Sequence, residues 1–347
     1  MSGILYFVVA LLVFGVIIMA HELGHYLAAR ASGITVLEFA IGFGPKLFGW
    51  RKKDIDYSLR LLPFGGYCKF EGEDDSSFDP KAFSSAPVWK RFLTIFSGPA
   101  MNFVLAYLAV VVFLAAFGAL YTVPVVQEVT SGMPAASSGL QAGDVITAVN
   151  GQQIALSEEG AIKLVEIISA GGPDKAVTLT VQRNGQNLDV TISPQKTDSG
   201  GKIGIMLGSQ VQRYSLFGAL GASGYKVYDI TVYMLQSLKA LIFHGQGVQD
   251  AMGPVGIISF MTQAIRRDFE EVINLIVIIS LNVGLINLLP FPGLDGGRLV
   301  FLLVEAIRRK PVKPEYEGWV HMAGFVLLMG LILVLTYHDI VRQITGG

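Results

Sequence analysis

Between Ile4 and Ala20 there is no charged residue, and the whole chain of 347 residues has one cysteine, Cys68. The uncharged run excludes a solvated surface helix at that place. The lone cysteine excludes an intrachain disulfide, and none is needed for a residue expected on the cytoplasmic side. No basic stretch precedes the first apolar run, so it is not expected to be a removable signal peptide. Net charge is also lacking, at −1 overall. No nucleic-acid partner is expected. Hydrophobic residues make up 52% of the chain and the mean hydropathy is +0.54. These values point to an integral membrane protein with a soluble part rather than to one globular domain.

Hydropathy marks four spans, at about 4–29, 92–118, 272–302 and 318–337. Lysine and arginine gather in two loops: ten lie in residues 30–91, and Arg308, Arg309, Lys310 and Lys313 follow the third span. Both loops are expected to face the cytoplasm, which exports the polar segment 119–210 and leaves the C-terminus outside. Residues 211–271 are expected to be amphipathic helices on the outer membrane surface. Within them Tyr214–Phe243 is apolar but carries Lys226, Asp229 and Lys239, so one or two surface helices fit better than a fifth span. A fifth span would also carry Asp295 to the face opposite His21.

The first apolar run ends in His21-Glu22-Leu23-Gly24-His25. On a helix, residues four apart project about 40° apart, so both imidazoles reach one ion while Glu22 stands beside it as a base. An ionisable group at the centre of a membrane helix costs about 2.5–3.5 kcal/mol and is seldom there without a task. Catalytic zinc usually takes three protein ligands and leaves a position for water. Asp295 is the candidate third ligand. It lies in Asn287-Leu288-Leu289-Pro290-Phe291-Pro292-Gly293-Leu294-Asp295-Gly296-Gly297, where prolines and glycines break an apolar span. Broken backbone at membrane depth is tolerated only beside protein or a water-filled cavity. The alternative is that Asp295 only caps the helix running on through Arg298; the histidine pair favours ligation.

With both motifs in place, the chain resembles the site-2 protease family of intramembrane zinc metalloproteases, in its bacterial branch with one exported PDZ domain. Further strings carry the resemblance: Gly42-Phe43-Gly44, Leu62-Pro63-Phe64-Gly65-Gly66-Tyr67, Ser97-Gly98-Pro99-Ala100-Met101-Asn102 and Gly253-Pro254-Val255-Gly256. The resemblance implies one Zn2+ per chain, held by His21, His25 and Asp295, with Glu22 as catalytic base. It also implies that Asn287 lies near the substrate backbone. Its further implications are a bacterial inner (plasma) membrane location, single-span protein substrates such as anti-sigma factors and signal-peptide remnants, and an upstream site-1-type protease acting first on the same substrate.

A peptide bond inside a membrane helix is already hydrogen-bonded and covered, so the substrate must be unwound and held. Residues 35–70 are expected to form a small β-sheet at the cytoplasmic membrane face, because Asp54–Leu61 alternates polar and apolar residues. Gly65-Gly66 supplies a bend before Tyr67-Cys68-Lys69-Phe70, and an exposed edge there suits strand addition by substrate. Gly65, Gly66 and Tyr67 are therefore candidate substrate-binding residues. The acidic run Glu71-Gly72-Glu73-Asp74-Asp75 is expected to be a solvated loop.

Val125–Ser193 is read as short strands with turns at Asn150-Gly151 and Asn184-Gly185, and a helix over 158–169. The string Gly139–Gly151 resembles the PDZ domains of bacterial proteases, but a carboxylate-binding Gly-Leu-Gly-Phe string is missing. The module is expected to filter substrates by size rather than to bind peptide ends. The expected architecture is a multi-span α-helical membrane protein with four transmembrane helices, a membrane-associated β-sheet and an inserted PDZ domain. Its parts are residues 1–118, 119–210, 211–271 and 272–347. Two other functions remain open: a catalytically inactive PDZ scaffold that binds envelope proteins, against which the intact Glu22 argues, and a metal transporter, for which His244, His321 and His338 form no relay.

Overall fold

The structure, a computed structural model, describes residues 3–73, 77–172, 175–197, 200–247, 252–312 and 314–345. Asp74 and Asp75 of the acidic run and Lys313 of the second basic loop lie outside them. The chain forms two compact units, Met1–Ala115 with Ser215–Gly347, and Ala116–Tyr214.

The first unit opens with α1 (Gly3–Ser32), β1 (Val36–Lys52), β2 (Ile55–Phe70) and α2 (Val88–Ala116). Lys53 and Asp54 take left-handed φ values of 51° and 63° and make the tight turn between the strands. Each strand is used twice. Residues 46–52 pair with 55–60, while 38–41 pair with 56–59 on one side and with 66–69 on the other. The sheet therefore runs 46–52, 55–60, 38–41, 66–70, with 66–70 at an edge. The folds within the strands fall at glycines: Gly42 and Gly44 (φ 86° and 83°) and Gly65 (φ 99°). β2 thus runs unbroken through Gly65-Gly66, and the expected bend is a fold within one strand.

The second unit contains β3 (Ala119–Val129), α3 (Pro134–Ser137), β4 (Val145–Val149), β5 (Gln152–Gln153), α4 (Glu158–Ser169), β6 (Val177–Arg183), β7 (Gln186–Ile192), β8 (Gln195–Thr197), β9 (Gly200–Lys202) and β10 (Ile205–Gln212). Its main sheet has the antiparallel order β10-β3-β4-β6-β7, with β5 on β4. Asn150-Gly151 and Asn184-Gly185 make the expected left-handed turns, at φ 49° and 79° and at φ 52° and 81°. Ser157 Oγ accepts from Gly160 N and caps α4, whose Leu164 packs with Val126, Ile146, Leu179 and Val181. The sheet closes with β10 against β3, well past Ser193. Sequence periodicity had no means of showing that residues 205–212 return to the start of the module.

Asp144 is buried and receives both Arg183 Nε and Nη2 at 2.7 Å. The guanidinium holds its carboxyl below the usual carboxylate range. The pair therefore contributes stability above the unfolded carboxyl pKa of about 4, which is lost as pH falls through the lower folded value. Asp144→Asn should lower the calorimetric unfolding temperature of this unit at neutral pH, with the difference from the parent closing in strong acid.

The chain then returns through α5 (Leu216–His244), α6 (Pro254–Arg267), α7 (Phe269–Leu288), α8 (Asp295–Arg308) and α9 (Pro314–Thr345). Among the described residues four helices are long and apolar enough to cross a membrane: Gly3–Ser32, Val88–Ala116, Phe269–Leu288 and Glu315–Ile344. The third differs from the expected 272–302. It stops at Leu288, and a separate helix starts at Asp295. Leu289 is extended (φ −63°, ψ 141°) because it precedes Pro290, and two prolines without N–H groups followed by Gly293 at φ 92° cannot continue a helix. Within Tyr214–Phe243, everything from Leu216 onward belongs to one continuous helix, α5, with few buried residues. Gly253-Pro254-Val255-Gly256 starts α6, where Gly256 N donates to Asp339 Oδ2 of α9 at 2.7 Å. A Cβ at either glycine would meet that carboxylate.

Candidate metal centre

The site begins with a close helix crossing. A Cβ at Gly24 of α1 would strike the Ser97 carbonyl of α2, and one at Gly98 would strike the His25 ring. Small residues at both positions let the backbones approach, as membrane helices do where packing replaces hydrophobic drive. Gly284 of α7 similarly faces Phe103 and the Pro99 carbonyl, and Ser280 Oγ donates to Asn102 O at 2.9 Å. The three helices thus bury His21, Glu22 and His25, each at most 8% exposed.

α2 orients both imidazoles. His25 Nδ1 donates to Thr94 O at 2.9 Å, which leaves Nε2 with its lone pair free. His21 Nδ1 lies 3.1 Å from the side-chain amide of the fully buried Asn102. When Nε2 of His21 binds a metal, Nδ1 keeps its proton and needs an acceptor. The amide atom placed beside it is Nδ2; turning the amide by 180° brings Oδ1, which otherwise has no partner, to the ring as that acceptor.

The two Nε2 atoms converge at 3.2 Å, and Asp295 Oδ2 stands 3.1 Å from His21 Nε2 and 3.3 Å from His25 Nε2. Three lone-pair donors so close, in a buried place, fit around one cation. Bonds of about 2.0–2.1 Å in a tetrahedral zinc site put neighbouring ligand atoms about 3.3 Å apart, so the spacing is that of one tetrahedral face. Glu22 is the neighbouring carboxylate on the same helix.

Comparison with known proteins agrees with this geometry. The model of Peptidase family M50 matches residues 9–331. The chain belongs to this family. The chain is 31% identical to the zinc metalloprotease RasP of Oceanobacillus iheyensis, covering 96% of this chain and 98% of that protein. It is 32% identical to RasP of Shouchella clausii (94% and 97% covered) and 29% identical to the regulator of sigma-W protease RasP of Bacillus subtilis (96% and 97% covered). The PDZ domain of an SdrC-like protein of Listeria monocytogenes aligns at 25% identity and a TM-score of 0.22, covering 25% of this chain and 88% of that one. This M50 peptidase is a zinc metalloprotease of the site-2 type and a membrane protein.

The helix that carries Asp295 is fixed from three sides in this M50 peptidase. Arg91 of α2 forms a two-pronged bond with Glu305 at 2.6 and 3.1 Å, Arg298 pairs with Glu73, and Gly293 N donates to His321 Nδ1 of α9 at 2.9 Å. Gly324 of α9 leaves room for Pro292. The acidic run is thus not simply solvated: Glu73 is ion-paired and its side chain is only 13% exposed.

The candidate substrate residues separate. Gly66 stands beside Glu22, since a Cβ there would lie 3.0 Å from Glu22 Cγ and 3.1 Å from Ile18 Cγ2. Tyr67 points to the other face of the sheet, stacked on Phe43 at 6.3 Å with Arg60 over its ring at 5.2 Å. Gly65 serves the fold. Asn287 is half-buried and donates to Val283 O of its own helix at 3.0 Å; it is not in the His21, His25, Asp295 cluster. Thr94 and Asn102 are the site residues that sequence reasoning missed. The only sequence signal for them was Asn102 at the end of the string Ser97–Asn102.

Proposed function

We propose that this protein performs regulated intramembrane proteolysis, cutting single-span membrane proteins after an upstream site-1-type protease has shortened their exported part. His21, His25 and Asp295 hold the zinc, and Glu22 is the catalytic base. The observation that carries the reading is the convergence of three donor atoms at a buried helix crossing beside Glu22, next to a sheet edge at Gly66 that no strand covers among the described residues.

Zinc bound there supplies Lewis-acid chemistry towards water and a peptide carbonyl. The chain's own residues do the rest. Glu22 accepts a proton from the attacking water and returns it to the leaving amine. Thr94 and Asn102 hold the two imidazoles in the tautomer that presents Nε2. The edge at 66–70 takes up the unwound substrate by strand addition, with Gly66 keeping the backbone close to Glu22 and Asn287 offering its amide oxygen.

The basic loops 30–91 and 308–313 face the cytoplasm of a bacterial plasma membrane in this reading, and the PDZ-like unit is exported. Membrane-held anti-sigma factors and signal-peptide remnants are the substrate class. The exported unit excludes substrates whose outer domain is untrimmed. Ala119 pairs with Gln212, so the ends of the unit are neighbours and a short Gly-Ser linker can replace residues 119–212 without strain. That variant should cut a full-length single-span substrate that the parent leaves intact, and should cut the pre-trimmed form as the parent does. Loss of cutting on the trimmed form with no gain on the full-length form would instead mean that the unit recruits substrate.

A further inference from the structure

The sheet edge beside Glu22 does not stay open along its length. Glu71 N donates inward to Thr35 O at 3.0 Å. Strand residues alternate in the direction of their N–H groups, so Phe70 N points away from the sheet, as do the amides of Cys68 and Gly66. Among the described residues no strand pairs with this outer side. The Phe70 amide is nevertheless taken, by Glu73 Oε2 at 3.1 Å. A side chain has filled the last outward donor of the edge.

Glu73 is itself held. Its other oxygen pairs with Arg298, and the two side chains are 13% and 29% exposed. Arg298 lies one turn after Asp295 in α8. One ion pair therefore links the end of the edge to the helix that contributes a candidate metal ligand.

We propose that Glu73, anchored by Arg298, is the stop that ends substrate pairing on this edge, and so sets which substrate peptide bond lies over Glu22. This rests on the strand-addition reading above. An added strand can bond to the outward amides of Gly66 and Cys68 but is denied that of Phe70. Because strand pairing repeats every two residues, removing the stop allows the substrate to slide by two residues, which moves the cut by the same amount. Glu73 is a positioning residue and makes no contact with the reacting atoms.

The probe is a synthetic single-span peptide with a helix-breaking Gly-Pro pair at its midpoint, presented in detergent micelles with the full-length zinc enzyme. Product masses locate the cut. Glu73→Ala should yield a second product displaced by two residues as a major fraction, with zinc content equal to the parent's. Glu73→Gln keeps an acceptor for Phe70 N and should cut where the parent does. A single unchanged cut from Glu73→Ala, or no cutting despite full zinc, overturns the stop.

Amide hydrogen exchange gives a second readout that needs neither turnover nor a Glu73 variant. In the otherwise unaltered Glu22→Gln protein, the peptide should slow exchange at Gly66 and Cys68 about tenfold or more and leave the already protected Phe70 amide unchanged. New protection at Phe70 on adding peptide contradicts the stop while leaving strand addition standing. No gain at Gly66 or Cys68 removes strand addition, and the stop with it.

Discussion

Glu22→Gln is expected to bind zinc as the parent does and to cleave about 10²–10⁴-fold more slowly, the usual contribution of a positioned general base. Glutamine fills the same space at this buried helix crossing but accepts no proton. The three converging atoms belong to His21, His25 and Asp295, so the change leaves that candidate ligand set intact. Zinc measured by mass spectrometry alongside a cleavage assay separates the two effects. A variant that loses zinc as well would move Glu22 into the ligand set, and one that keeps full activity would remove it from the chemistry.

Asp295→Ala should act in the opposite way, losing zinc first and activity as a consequence, because it removes one of the three candidate ligands. Asn102→Ala provides the graded comparison. It removes only the side-chain amide beside His21 Nδ1, and such outer partners are worth about 10–100-fold in metal affinity. The expected order of zinc affinity is parent, then Asn102→Ala, then Asp295→Ala, read by competition with a chelator of known affinity. Equal zinc binding in Asp295→Ala and the parent would restrict Asp295 to capping α8.

The candidate site was largely legible because its chemistry is compressed into short stretches. His21 and His25 sit one turn apart, and Asp295 is flagged by prolines and glycines that break an apolar run. Its supports were not legible. Thr94 and Asn102 serve the imidazoles only because Gly24 and Gly98 let α1 and α2 cross closely, and a crossing leaves no periodic trace in either helix. The inserted unit was readable through its Asn-Gly turns and the helical spacing over 158–169, whereas β10 closes the sheet across a long stretch of sequence. In the 35–70 region the period-two pattern announces strands but not that 38–41 has neighbours on both sides. Glu73 looked solvated because a run of acidic residues ordinarily is. Its partner Arg298 is 225 positions away, beyond the reach of local patterning.

The most direct test of intramembrane zinc proteolysis is to map the cut itself. A single-span membrane protein, trimmed of its exported domain, is incubated with the parent and with Glu22→Gln in micelles, and the new termini are identified by mass spectrometry. The account predicts one principal cut within or at the boundary of the hydrophobic segment in the parent, lost on chelation of zinc and absent with Glu22→Gln. Cuts confined to the soluble flanks, or the same hydrophobic cut made equally well by Glu22→Gln, would contradict it.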